Sequence, residues 1–168
     1  PKRAIINDSN PDLMNVYRVI RNNVEDLIKA LKPRQKDVDS KEKYYEMRNK
    51  KPRTPVTKAM RIIYLNKTCF NGLYRVNSKG GFNVPFGANK NPELFIEDNL
   101  KEVSNLLAGT RIEEGDYYNL LSLIKKNDFI YLDPPYDPLS ETSSFTSYTK
   151  EGFGFDRQEQ LVEFCKKL

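Results

Sequence analysis

The chain has 168 residues, 38% hydrophobic and 30% charged, with a formal net charge of +5. That length and balance suit one globular domain with a real core and exclude disorder, and no apolar run approaches the roughly 18 residues of a membrane span. There is no histidine, which excludes Ser-His-Asp triads, Cys-His pairs and His-ligated metals, so any chemistry rests on carboxylates, backbone groups, tyrosines or a cofactor.

The first predicted strand covers residues 4–6, and Ser9 or Asn10 then caps a helix with Pro11 at its first position. Leu13, Tyr17 and Ile20 give that helix an apolar stripe, and Val24, Leu27, Ile28 and Leu31 mark a second helical stretch. KPRQKDVDSKEK reads as a charged loop, Ser40 starts a short helix through KEKYYEMRN, and KKPRTP breaks it. PVTKAMRIIYLNK is helical again, with Ala59, Ile62 and Ile63 facing inward. GLYRVNSKGGFNVPFG alternates and is rich in turn residues, which predicts a hairpin of residues 73–77 against 82–86 with Pro85 on an edge. DNLKEVSNLLAG predicts a helix ending at Gly109, TRIEEGD a strand and turn, and YYNLLSLIKK a helix. Residues 129–132 form a continuous apolar run of the buried, parallel-sheet type. DRQEQLVEFCKKL closes the chain as a helix with Leu161, Phe164, Cys165 and Leu168 on one face.

Cys69 and Cys165 are far apart without CxxC spacing, which fits filler positions in a reduced, cytosolic setting. The positive charge leans toward an anionic partner; a solvated basic surface is the plain alternative, also for Arg34, Lys36, Lys50, Lys51 and Arg53.

Chemistry concentrates in DPPY, directly after the apolar run at 129–132. Asp133 would stand at a strand's carboxyl end, where open α/β sheets bind ligands. Pro134 and Pro135 carry no N–H, so their carbonyls are free to face a ligand, and Tyr136 adds a flat aromatic face. If Asp133 and the Pro134 carbonyl accept both hydrogens of an exocyclic amine, its lone pair becomes available for transfer chemistry. A proline-rich surface turn is the competing reading of the same residues.

INDSNPDL, NGLYRVNSKGGFNVPFG, EEGDYY and DPPYDPLSETSSFTSY together resemble a Dam-type, D12-class DNA adenine-N6 methyltransferase. The resemblance implies an α/β fold: a partial Rossmann-like methyltransferase sheet with a mostly helical target-recognition insert carrying a β-hairpin. It implies S-adenosyl-L-methionine as cofactor, a flipped adenine in double-stranded DNA as acceptor, and GATC as the target. Residues 1–15 and 110–168 become a discontinuous catalytic domain and 16–109 the insert, with the hairpin at about 73–86.

Residue by residue, Asp8 matches the acid for the cofactor ribose, and Asp116 the residue meeting its adenine, with Tyr117 flanking the ring. Asp133, Pro134, Pro135 and Tyr136 match the catalytic set, with Asp133 also on the cofactor side. Phe70, Asn71, Leu73, Arg75 and Pro85 match DNA-contacting positions. An arginine can bind guanine O6 and N7, Leu or Pro a thymine methyl, and an aromatic wedge can fill a flipped base's gap. Each has a bland alternative: a helix cap for Asp8, a simple turn for Asp116, an exposed strand arginine for Arg75, a core ring for Phe70. Phe145 and Tyr148 either enclose the flipped base or pack their loop.

The resemblance also places a glycine-rich FxGxG-type cofactor loop before residue 1 and further strands after residue 168, so the sequence is expected to be a fragment that has lost cofactor binding. The implied setting is the cytoplasm of a bacterial or phage-infected cell, as a monomer, without membrane or metal, beside a possible cognate restriction endonuclease. A DNA-binding module without chemistry, and an amino-methyltransferase acting on RNA adenine or on cytosine N4, are the alternatives. An intact DPPY argues against the first, and the hairpin against RNA, whose deep major groove does not admit such an element.

Overall fold

The computed structural model describes residues 3–87, 89–135 and 153–168. Two short strands, β1 (Ala4–Asp8) and β2 (Thr110–Glu114), pair in parallel, with Ala4 opposite Thr110 and Asp8 opposite Glu114. Because the register is unshifted, both strands end at one level, and that shared end carries the acidic residues discussed below.

Between the strands the chain runs through α1 (Pro11–Leu31), α2 (Lys41–Asn49), α3 (Pro55–Thr68) and α4 (Glu97–Leu107). The start of α1 follows from local chemistry: the Asn10 side chain accepts from the Asp12 and Leu13 amides, and Pro11 presets the first helical φ. Asn23 leaves helical geometry (φ −141°, ψ 36°), so α1 is kinked between its two apolar stripes. Ser40 caps α2, and Thr54 and Thr57 cap each other's backbone at the start of α3.

Val16, Val19, Ile20, Leu27 and Leu31 of α1 meet Ala59 and Ile62 of α3 and Leu107 of α4 in one core cluster. Their three- and four-residue spacing puts them on one face, and each large aliphatic side chain so buried contributes about 1.5–3 kcal/mol. A second cluster joins Val38, Tyr44, Met47, Tyr64, Leu65 and Cys69 to Phe82, Val84 and Leu94. Its buried phenols are satisfied: Tyr44 donates to the Val84 carbonyl at 2.8 Å and Tyr64 to the Asp37 carbonyl at 2.9 Å. Burial pushes the Tyr64 phenol up to about 12. This cluster clamps the hairpin region onto the helices.

Several elements differ from expectation. The charged loop after α1 winds into a 3-10 helix, Lys32–Asp37. The hairpin forms isolated antiparallel bridges, Val76–Phe82 and Cys69–Phe86, instead of two continuous strands. Pro85 has no N–H to extend the ladder, and its carbonyl accepts from Phe70 N at 3.0 Å, so pairing reaches back to the end of α3. The helix expected over 117–126 shrinks to a 3-10 helix, Tyr117–Ser122, none of whose residues is buried. A helix without a packed face has little to stabilise it.

The expected buried strand at 129–132 is absent: these residues have no strand pairing, and Phe129 is 91% exposed. A strand of that type needs ladder partners and covered faces, whereas the sheet among the described residues has two strands, neither paired with it. Ile5, Ile6 and Ile130 are only partly buried. The last helix, α5 (Phe155–Lys166), buries Phe164 and leaves Cys165 and Leu168 exposed, so its expected apolar face is narrower than the sequence pattern. Both cysteines are free. No helix among the described residues is long and apolar enough to cross a membrane.

Candidate functional site

The carboxyl ends of β1 and β2 form a small polar platform. Gly115 follows β2 at φ +118°, a conformation that L side chains rarely adopt. Its N–H donates to the Asp8 carbonyl at 3.0 Å, and its carbonyl accepts from Asn7 Nδ2 at 3.0 Å. That turn ties the end of β1 to the loop that carries Asp116. Asp8 Oδ1 accepts the Asn10 amide at 2.7 Å, shaping the turn, while the cap of α1 is Asn10 itself.

Asp116 is held from two sides. Oδ1 caps the following 3-10 helix by accepting Tyr118 N at 2.8 Å, and Oδ2 accepts Arg157 Nη1 of α5 at 2.9 Å. Phe164 of the same helix lies edge-on to Tyr117, with centroids 5.1 Å apart, and tilted against Tyr118 at 5.8 Å. Burial pushes the Tyr117 phenol up, and its Oη is buried without a hydrogen-bond partner among the described residues. A cleft of about 680 Å3 opens beside Asp116 and Tyr118, walled on the α5 side by Asp156, Glu159 and Glu163. That volume lies within the roughly 300–1,000 Å3 usual for small-molecule sites.

The donor set fits a nucleoside. Carboxylates at the ends of two adjacent parallel strands accept from hydroxyls and amines, and each oxygen retains lone pairs beyond its present bond. The unpartnered Tyr117 hydroxyl is one further polar group for a ligand to meet. No cluster of three or more metal-ligating side chains occurs among the described residues.

Asp133, Pro134 and Pro135 stand at the end of the unpaired 129–132 segment, with Asp133 exposed. Tyr136, Phe145 and Tyr148 lie outside the described residues. The segment is tied upstream, where Arg3 donates to the Leu123 carbonyl at 3.0 Å and pairs with Asp128.

The hairpin presents the other group. Phe70 is 50% exposed, so it is not a core ring, and Leu73, Asn71 and Pro85 are exposed beside it. Asn71 and Gly72 take left-handed backbone (φ 52° and 62°), which turns the chain sharply between α3 and the hairpin. Arg75 is not a freely solvated strand arginine: its Nε donates to Asn83 Oδ1 at 2.8 Å and its Nη2 to the Asn83 carbonyl at 3.4 Å. The remaining N–H groups of its fork stay available. Tyr74 approaches Asn10 and Asp12 at the start of α1 (3.4 and 3.5 Å), linking the hairpin to the β1 platform.

Sequence reasoning missed Arg157, which lies 41 positions beyond Asp116. Its place near the start of a helix offered no signal of a partner that distant.

A family model for D12 class N6 adenine-specific DNA methyltransferases matches residues 1–168. Among curated relatives, the Type II methyltransferase M.MjaIII of Methanocaldococcus jannaschii is 47% identical over 178 residues, covering 99% of this chain and 62% of its own length. The Type II methyltransferase M1.LlaDCHI of Lactococcus lactis subsp. cremoris is 42% identical, covering 100% of this chain and 62% of its own length. A DNA adenine methylase of Haemophilus influenzae is 34% identical over 99% of this chain and 59% of its own length. The chain thus spans about three-fifths of the length of these relatives.

Proposed function

Because the chain belongs to the D12 class of N6 adenine-specific DNA methyltransferases, we propose that it serves an enzyme that methylates adenine N6 in double-stranded DNA. The donor is S-adenosylmethionine, which supplies an electrophilic methyl group when bound. GATC is the first sequence to test. The observation that carries this reading is the shared strand end, where the Gly115 turn ties the Asp8 backbone to the loop that carries Asp116, with Phe164 packed edge-on against the next residue, Tyr117.

In this reading Asp8 accepts from ribose hydroxyls and Asp116 from the adenine amine of the donor, with Tyr117 against the ring. Asp133 and the Pro134 carbonyl accept the two hydrogens of the target N6, which frees its lone pair. With the donor bound, Asp133 would stabilise the positive charge that builds on N6 as the methyl group arrives, and would be placed to take the proton N6 then gives up, directly or by way of solvent. Pro135 keeps the turn rigid, and Tyr136 stacks on the flipped base. Residues 1–15 and 110–168 serve catalysis on a Rossmann-like sheet, to which residues 129–132 contribute a strand once neighbours cover them. Residues 16–109 form the insert whose Phe70, Asn71, Leu73, Arg75 and Pro85 face the duplex. The names of the Type II relatives support a restriction–modification setting; the further reading is a cognate endonuclease in the same bacterial cytoplasm and a monomeric methyltransferase.

The test uses the full-length protein. Asp133→Ala lowers turnover on the order of 10²–10³-fold while specific duplex binding persists, because the lost interaction belongs to the transition state. Near-normal turnover in that variant would remove Asp133 from the chemistry.

A further inference from the structure

A groove of about 290 Å3 lies between the α2–α3 connection, the face of α3 and the tip of the hairpin. Lys50, Lys51, Lys58, Arg61 and Lys79 line it against a single carboxylate, Asp12. Arg61 belongs to the wall: its Nε donates to the Met47 carbonyl at 3.0 Å and its Nη2 to the Arg48 carbonyl at 2.5 Å. Asp12 faces that guanidinium and offsets its charge. The four lysines remain. All are exposed, and among the described residues none has an ion-pair partner.

Other lysines, Lys36, Lys41, Lys67 and Lys126 among them, also lack an ion-pair partner among the described residues; what sets the groove apart is that four such lysines line one cavity, while several elsewhere are paired. Lys32 and Lys101 share Glu97, Lys43 pairs with Glu46, and Lys166 with Glu163. Mutual repulsion of clustered ammonium groups is weak in water, so the cluster is tolerated, yet it creates a local positive potential that nothing in the fold neutralises. The tip that closes the groove, with Lys79 and Gly80–Gly81, is shaped internally. Asn77 Oδ1 accepts Lys79 N at 3.0 Å and Gly81 N at 2.9 Å. The tip amides are thereby occupied, and the lysine heads are the donors left to a ligand.

We propose that this groove holds the phosphodiester backbone of the duplex, with Lys50, Lys51, Lys58 and Lys79 as its contacts. The inference rests on the DNA-modifying reading and deepens it. The groove ends on the same hairpin that presents Arg75, Leu73 and Pro85, so a duplex laid against those residues brings its backbone over the lysines. Contacts of this kind set register and orientation and carry no sequence information. Lys50 and Lys51 precede α3 and Lys79 sits on the hairpin, so one phosphate strand would bridge both elements and fix the hairpin's approach to the bases.

The experiment measures binding of the full-length protein to a site-containing duplex by fluorescence anisotropy across a range of KCl concentrations. It compares wild type, the combined variant K50Q/K51Q/K58Q/K79Q, and a charge-matched control, K29Q/K41Q/K126Q/K166Q. Each lost phosphate contact lowers the slope of log K against log salt by about 0.9, so the groove variant loses up to about 3.6. The control keeps the wild-type slope. The ratio of affinities for matched and single-mismatch sites stays unchanged in the groove variant, and a wild-type thermal midpoint confirms folding. A groove variant with the control's slope, or with an altered mismatch ratio, overturns the proposal. A salt response that depends on the lysines on an RNA duplex but not on DNA also overturns it. Wild-type protein that binds no duplex at all sinks the underlying reading and the groove together, which distinguishes the two failures.

Discussion

Replacing Gly115 by alanine isolates the backbone device that builds the polar platform at the strand ends, the proposed cofactor site. Its φ of +118° is the cost of turning directly from β2 into Asp116, and a Cβ placed there meets nothing within 4 Å. The penalty is therefore conformational and not steric, of order 1–3 kcal/mol for an L-residue held in such a region. The turn has no cheap escape. Relaxing it gives up the bonds from Gly115 N to the Asp8 carbonyl and from Asn7 Nδ2 to the Gly115 carbonyl, each worth about 0.5–1.5 kcal/mol. Either way Gly115→Ala destabilises by about 1–3 kcal/mol. Gly109→Ala is the control, since that Cβ also meets open space and the backbone there is ordinary. Urea titration of the full-length variants, with unchanged m, reads the difference directly. Cofactor affinity falls with Gly115→Ala and holds with Gly109→Ala. Gly115→Ala within about 0.5 kcal/mol of wild type, or equal losses in both variants, would refute the reasoning.

Gly87→Ala acts by a different route: its Cβ would stand 2.4 Å from the Cys69 carbonyl oxygen, so the hairpin must part from α3, with a lower thermal midpoint and weaker specific DNA binding as the measured outcomes. Arg75→Ala relaxes discrimination at one guanine-containing base pair by about 1–3 kcal/mol, measured by competition between matched and mismatched duplexes; uniform weakening on all sequences would make it a phosphate contact instead. Lys101, then Lys32, hold the Glu97 carboxyl down to about 2 from its ordinary 4.5. A depressed acid contributes stability above its unfolded pKa and loses it as pH falls, so Glu97→Gln flattens the acid dependence of the unfolding midpoint between about pH 4.5 and 2. Cys69 is buried with its thiol pushed up by desolvation, so alkylation of the native protein labels Cys165 alone.

What the sequence disclosed was local. Asn10 and Pro11 announced α1, Ser40 announced α2, and the gap between two apolar stripes became the kink at Asn23. The end of β2 and its Gly–Asp turn were legible because both signals lie within a few residues. What stayed hidden depends on distant partners. Residues 129–132 have the composition of a central strand, but composition cannot supply the neighbouring ladders, and Phe129 is left in solvent. YYNLLSLIKK has helical spacing, but only Tyr117 and Tyr118 at its start meet another element through Phe164 and none of the 3-10 helix's residues is buried, so it winds only as a 3-10 helix. The grip of Arg157 on Asp116 and the meeting of Lys79 with Lys50 and Lys51 join segments that no periodicity links.

The most direct measurement digests duplex DNA to nucleosides after incubation with the full-length protein and isotopically labelled S-adenosylmethionine, and identifies the methylated product by mass spectrometry. The account predicts label on N6 of adenine at one defined sequence, lost with Asp133→Ala and sharply reduced with Asp116→Ala. Label on cytosine N4 or on RNA, or no transfer by the full-length wild-type protein, would contradict it.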